Sequence, residues 1–195
     1  MTAPVTATRP TATEHDQRLQ ALRGISRQLP TGVAVITGAY GDAVHGATVS
    51  TASVLSQQPL RLGISLRHGS YLTKLVQQRA IFVVNVLSCR QAAVADWFAD
   101  PERPRGLRQF DYVPWTAHEQ TGIPVLDGTL AHITCRLTNV IPLGTSDDLL
   151  VAEVLEGHGR NGRPLINFNG QLHDVEFRSV IRPGRRQASA VTLLE

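Results

Sequence analysis

Four groupings of residues in this chain could carry chemistry. Gly157-His158-Gly159-Arg160-Asn161-Gly162 matches G-x-G-x-x-G, the spacing with which a strand-to-helix turn cradles a dinucleotide pyrophosphate. The match fails on context, because Arg163, Pro164 and a strand-like run stand where a helix would have to open. A turn is the better reading of those glycines. The seven histidines, at 15, 45, 68, 118, 132, 158 and 173, include no H-E-x-x-H and no close pair on one helix face, so no metal site is expected. Asp147-Asp148 is a carboxylate pair, but adjacent strand residues point to opposite faces, and a loop-exposed pair is expected instead of an acid/base couple. No G-x-S-x-G elbow anchors a hydrolase. The fourth grouping is HGATVSTASVLSQQP, from His45 to Pro59, too hydroxylated for an apolar core strand and too ordered in pattern for a linker. Small side chains of this kind let a neighbouring surface, a helix or a ligand, come close.

The chain that must position these residues has 195 of them, 42% hydrophobic and 18% charged, enough for one domain with a real core. Residues 1–14 mix Thr, Ala and Pro without periodicity, and 176–195 hold Arg182, Arg185 and Arg186, so both read as flexible arms around a domain at 15–175. Nothing resembles a secretory signal or a membrane-spanning apolar run, and a soluble cytoplasmic protein is expected. Cys89 and Cys135 are too few for a disulfide framework and read as reduced thiols. A formal charge of +3 favours anionic ligands weakly. With only 5% aromatics, no basic face interleaved with rings is available for nucleic acid.

Strands dominate the order of elements. Leu19, Leu22, Ile25 and Leu29 recur near helical spacing between Glu14 and Leu29, which predicts an amphipathic helix closed by Pro30 and Gly32. GVAVIT, the turn AYGDA and the hydroxylated stretch follow. LRLGISL at 60–66 alternates with period 2, the pattern of a strand with one buried face. Ser70 can cap a helix running to about Gln78. IFVVNVL at 81–87 is an apolar strand broken by Asn85, whose side chain requires a hydrogen-bond partner. Ser88 and Gln91 have capping-box spacing before a short helix ending at WFAD. After an irregular, Pro-rich crossing come AHITCRLTNVI, DLLVAEVLEG and RPLINFNG, three more strand-like runs. A mainly β, closed or split β-barrel with peripheral helices accounts for this order better than a doubly wound parallel sheet.

The segments PTGVAVIT, HGATVSTASVLSQQP, FVVNVL, VADWFAD, FDYVPW, GIPVLDGTLAHITCRL, LLVAEVLEG and PLINFNG, in this order over roughly residues 15–175, resemble the flavin reductase family. Those proteins are FMN-binding split barrels that supply reduced flavin to two-component monooxygenases. The resemblance implies that FMN or FAD binds here, that NADH or NADPH is the co-substrate, and that reduced flavin diffuses to a partner oxygenase. It further implies a homodimer with flavin sites near the subunit interface. Carried over residue by residue, it places Gly46, Ala47, Thr48, Val49, Ser50 and Thr51 against the flavin ring. Ser65, Leu66, Arg67, Ser70, Tyr71 and Leu72 fall at the ribityl chain and phosphate, and Trp97 and Phe98 near the flavin. A flat heterocycle with imide oxygens and nitrogens suits a narrow surface of hydroxyl and peptide groups.

Departures from the family pattern bear on mechanism. Many members read Gly-Asp-His-Thr where this chain has Thr145, Ser146, Asp147 and Asp148, so a carboxylate at Asp147 replaces an imidazole associated with nicotinamide and flavin. Such a charge would repel nicotinamide phosphates unless solvated or paired with an arginine. Ala52 replaces a usual Phe, Leu72 a usual Thr, and NFNGQL the YFRGGY pattern. An NAD(P)H:flavin oxidoreductase is therefore the leading expectation. The alternatives are a split-barrel flavoprotein that keeps its flavin and acts on an organic substrate, and a non-catalytic flavin-binding module.

Overall fold

Apolar residues at alternate positions need a second surface to bury them, and here the strands meet that need by curling around one another. The computed structural model describes residues 12–179, with side chains from residue 16 onward. Its elements are α1 (Ala12–Ser26), β1 (Thr31–Gly32), β2 (Ala34–Tyr40), β3 (Ala43–Val49), β4 (Ser53–Gln57), β5 (Leu60–Arg67), α2 (Tyr71–Arg79), β6 (Ile81–Val86) and α3 (Ala92–Ala99). There follow β7 (Trp115–Ala117), β8 (Pro124–Leu126), β9 (Ala131–Leu143), β10 (Asp147–Gly159), β11 (Leu165–Phe168) and β12 (Gln171–Asp174), with 3-10 turns at Cys89–Gln91 and Gly106–Phe110. The expected arms fall largely outside the described residues, as do Arg182, Arg185 and Arg186.

Seven strands form one antiparallel sheet in the order β3-β2-β6-β9-β10-β5-β4. Val49 from β3, Ile36 from β2, Phe82 from β6, Cys135 from β9, Leu150 from β10 and Ile64 from β5 share a single buried cluster. Residues from both ends of the strand order can meet in one core only if the sheet rolls up, which is the barrel the sequence predicts. Two register shifts in the β9–β10 ladder, between Val151 and Ala152 and between Val154 and Glu156, supply local bends of the kind that barrels use. Helix α2 contributes Leu72 and Val76 to the same cluster. The outer face of β2, β3 and β6 packs a second cluster against α3, Phe110 and the β7–β8 hairpin.

Local signals account for most boundaries. Ser70 caps α2, its Oγ accepting the Thr73 N–H at 3.2 Å. Ser88 N–H donates to Gln91 Oε1 at 3.0 Å, half of the expected capping box, and a 3-10 turn then leads into α3. Asn85, fully buried, donates to Val35 O at 3.0 Å and Thr37 Oγ1 at 3.1 Å and accepts from the Leu126 N–H at 2.9 Å.

Three expectations need correction. Helix α1 begins two residues before Glu14 and ends at Ser26, and its apolar row is not buried: Leu19, Leu22, Ile25 and Leu29 are 38% to 70% exposed. The run PLINF is a strand as expected, and it pairs with β1 and β12 outside the main sheet. The stretch expected to be irregular contains the β7–β8 hairpin. The carboxylate pair is not loop-exposed, because Asp147 opens β10 and Asp148 is buried at 3% exposure. The turn reading of 157–162 holds only for its second half: Gly157–Gly159 are still paired in β10, the chain turns after them, and strand β11, not a helix, comes next.

Candidate functional site

Strand β3 is an edge of the seven-stranded sheet, paired only with β2, so half of its peptide groups look away from the ladder. A brace from the segment after α3 takes the first of them. Gln109, completely buried, accepts the Gly46 N–H at its Oε1 (2.8 Å) and donates to Val44 O at 3.1 Å. Arg103 donates to Gly46 O and to His45 Nε2, the latter at 3.1 Å. Antiparallel alternation places the Thr48 N–H and C=O on the same outward edge. There, among the described residues, no hydrogen bond outside the ladder claims them. The open part of the edge is therefore at Thr48, with Ser50 and Thr51 in the turn that leaves β3.

The side chains of the hydroxylated stretch divide by face. A Cβ on Gly46 would lie 2.7 Å from the Phe98 ring, so glycine stands there to seat an aromatic of α3. Thr48 Oγ1 donates to Ala95 O at 2.7 Å. Ala47 and Val49 face the barrel core. Thr51 Oγ1 bridges to β5, donating to Ser65 O at 3.0 Å and accepting the Ser65 N–H at 3.1 Å. The close approach foreseen for Gly46, Ala47 and Thr48 thus belongs to strand and helix packing at the side-chain level, and only the peptide edge at Thr48 stays open to a ligand. Phe98 is 1% exposed and tilted against Phe110 at 5.3 Å, which makes it a core ring behind β3. Trp97 is half-buried, its indole N–H donating to Gln109 O at 2.7 Å.

The facing wall is the end of β5 and the start of α2. Leu66 is buried, Ser65 is half-buried, and Arg67 is exposed. Leu72 points into the core, whereas Tyr71 is half-exposed and meets His45 edge-on at 5.4 Å. The first turn of α2 holds no acidic residue, so its positive dipole end is not neutralised from within. The Ser70 hydroxyl is occupied by Thr73 N and Thr73 Oγ1.

Asp147 is paired in register with Arg67 and accepts from Ser146 Oγ at 2.8 Å. Asp148 faces the other way, with both carboxylate oxygens 3.0 Å from His68 Nδ1. His45 is held neutral: burial first, then the Arg103 and Arg105 charges, lower its pKa to about 4. Since its Nε2 accepts from Arg103, its proton sits on Nδ1, which is buried without a partner among the described residues.

Sequence reasoning missed His45, Arg103, Gln109, His68 and Asp148. His68 and Asp148 lie 80 positions apart, and Gln109 sits 63 positions from Gly46 in an irregular segment with no periodic signal. The fold also gathers histidines that look scattered. His132 and His158 pair across β9 and β10 with ring centroids 5.1 Å apart, and His118 is 3.0 Å from Glu156, around a cavity of about 430 Å³. Burial and then the neighbouring His158 lower the His132 pKa. That cavity adjoins β7 and the far end of β10, away from the Asp147 end of the strand that pairs with Arg67. The β3 and β5 residues line none of the described cavities and lie at the surface where Thr51 joins Ser65.

Tested against a flavin, this surface fits in kind. The Thr48 peptide edge offers donor and acceptor groups to an imide, and Arg67 with the start of α2 suits a phosphate. Residues 26–176 match the family described as flavin reductase like domain. The chain is 71% identical over 180 residues to an NADPH-flavin oxidoreductase of Streptomyces viridifaciens, covering 92% of this chain and 93% of that one. It is 30% identical over 149 residues to an NADH-dependent FAD reductase of Streptomyces globisporus, covering 76% and 81%. Among solved structures, the flavin reductase component of a bacterial two-component tryptophan halogenase superposes with a TM-score of 0.75 at 28% identity, over 82% of this chain and 99% of that one. A Streptomyces globisporus NADH:FAD oxidoreductase in complex with NAD and FAD fragments does so with a TM-score of 0.75 at 25% identity, over 83% and 94%.

Proposed function

Because the chain belongs to the flavin reductase-like family, we propose that it is an NADPH:flavin oxidoreductase that hands reduced FMN or FAD to a separate oxygenase. The observation that carries this reading is the uncovered edge at Thr48, near the link from Thr51 to Ser65, within a chain 71% identical to an NADPH-flavin oxidoreductase. The bound pair supplies the chemistry, a hydride passing from nicotinamide C4 to flavin N5.

The protein's work is alignment. The Thr48 peptide group would hold the imide edge of the ring without side-chain entropy loss, because its strand is already fixed by β2. Thr51, tied to Ser65, keeps the two walls at one spacing. Tyr71 would flank the ring, and Arg67 with the α2 start would take the phosphate end. Trp97, Phe98 and Gln109 act from behind, holding β3 flat through its backbone. Asp147 in the place of the family imidazole needs no acid or base role, since hydride transfer requires neither from the protein.

An open surface is compatible with a flavin that enters and leaves, which is what delivery to a partner oxygenase demands. Relatives named as monooxygenase reductase components support that partnership. No helix among the described residues is long and apolar enough to cross a membrane, and the protein is proposed to work in the cytoplasm. The domain is proposed to span residues 15–175.

Anaerobic stopped-flow of the purified chain with FMN or FAD against NADPH or NADH tests the assignment. The expected result is protein-dependent loss of oxidised-flavin absorbance, faster with NADPH than with NADH. Bleaching at the protein-free rate with every pair would overturn it.

A further inference from the structure

Three histidines from separate parts of the chain line the cavity beside β7, and the proposed hydride transfer uses none of them. His132 and His158 stand directly opposite each other on β9 and β10. Their ring centroids are 5.1 Å apart, with the planes tilted by 42°. Two imidazoles that share one tetrahedral ion through Zn–N bonds of about 2.0–2.1 Å hold their centroids about 5 Å apart. The pair therefore has the separation of a chelate before any ion arrives. His132 is half-buried and His158 exposed, so an ion can reach both rings without the barrel opening.

A carboxylate is held next to the pair. Glu156 lies two residues before His158 on the same strand, and hence on the same face of the sheet. Its Oε1 is 3.0 Å from His118 Nε2, which is also 3.0 Å from Thr134 Oγ1. Among the described residues nothing pairs with its other oxygen, Oε2. His118 thus aims the carboxylate as an outer partner aims a metal ligand. The charges around the cavity agree, because Glu119 and Glu156 line it and no lysine or arginine does. Arg160 is the opposing charge; it lines the adjoining cavity, its Nε donating to Thr129 O. As the side chains stand, no three of these groups converge on one point among the described residues. Two rings are therefore the preformed part, and Glu156, 44% exposed at its side chain, has the freedom to turn toward an ion they hold.

We propose that His132 and His158 chelate a divalent transition-metal ion, Zn²⁺ foremost, with Glu156 as the third protein ligand and water completing the tetrahedron. The ion pins β9 to β10 at the end of the ladder remote from Asp147, and its binding needs neither flavin nor nucleotide. Full-length protein free of any affinity tag is titrated with ZnCl₂ by calorimetry near neutral pH. His132→Gln, His158→Gln and Glu156→Gln are titrated alongside it, with His173→Gln, on β12 and outside the cluster, as the control. Thermal unfolding checks that each variant folds, and zinc-edge X-ray absorption of the loaded protein reads the ligands directly.

The expected result is one ion per chain with a Kd on the order of 10 µM in wild type and in His173→Gln. His132→Gln and His158→Gln are expected to weaken it at least about tenfold, and Glu156→Gln about threefold or more. Zinc-edge spectra of wild type are expected to show imidazole scattering with Zn–N at about 2.0–2.1 Å, lost in His158→Gln. A wild-type Kd weaker than about 1 mM, or binding that both histidine variants leave unchanged, sinks the proposal. A Glu156 variant that binds like wild type overturns the carboxylate's part in it. If His132→Gln fails to fold, the exposed His158 variant decides.

Discussion

His45 lies on β3 with its proton on Nδ1, kept there by a guanidinium that donates to the other nitrogen. Its folded pKa, about 4, lies below the unfolded value of 6.5. Between those values the unfolded chain binds more protons than the folded one, so this residue makes stability rise with pH in that window and fall on acidification. Partial exposure discounts the effect to about 1 kcal/mol. Urea unfolding at pH 4.5 and pH 7 is expected to show a smaller difference in His45→Gln than in wild type. An equal difference in both proteins would mean that burial and the neighbouring Arg103 do not hold the ring neutral. Little of this was legible in the sequence, where His45 merely precedes the hydroxylated stretch. Its partner Arg103 is 58 residues away in a Pro-rich segment, and no local pattern reports such a distance.

At the scale of elements, the sequence was readable wherever burial is periodic. The alternation in β5, the apolar run of β6, the Ser70 cap and the need of Asn85 for partners all follow from spacing and polarity. What stayed hidden was which surface each element meets. The small residues of β3 read equally as a ligand cradle or a packing seam, and the structure uses the strand for packing on its side-chain faces and leaves only its peptide edge open. Two glycines separate these uses. In Gly46→Ala the new methyl would meet the buried Phe98 ring, which cannot yield, and a loss of about 2–3 kcal/mol is expected. In Gly63→Ala it meets the Leu55 side chain, half-exposed and free to turn, and a loss below about 1 kcal/mol is expected. Thermal unfolding of both variants checks the contrast, and comparable losses would show that β3 has slack against α3.

For the molecule as a whole, the barrel was anticipated and its outer surface was not. The apolar row of α1, expected from the amphipathic pattern, finds no cover among the described residues: Leu22, Ile25 and Leu29 are more than half exposed, as is Val54 on the edge strand β4. A second copy of the chain is proposed to cover these residues, in line with the dimer that the family resemblance implies. Light scattering coupled to size exclusion is expected to give twice the chain mass of 21.2 kDa, and Ile25→Glu with Leu29→Glu to shift it toward one. A wild type at the mass of a single chain would leave the row without this explanation. The open edge of β3 has a last consequence for the protein's life in the cell. Unclaimed N–H and C=O groups along a sheet margin recruit strands from other molecules, and here Gln109 and Arg103 blunt only the first part of that margin. The bound flavin would close the rest, serving as a plug against aggregation. Riboflavin starvation would then deplete the folded protein as well as its substrate, tying its abundance to the vitamin supply.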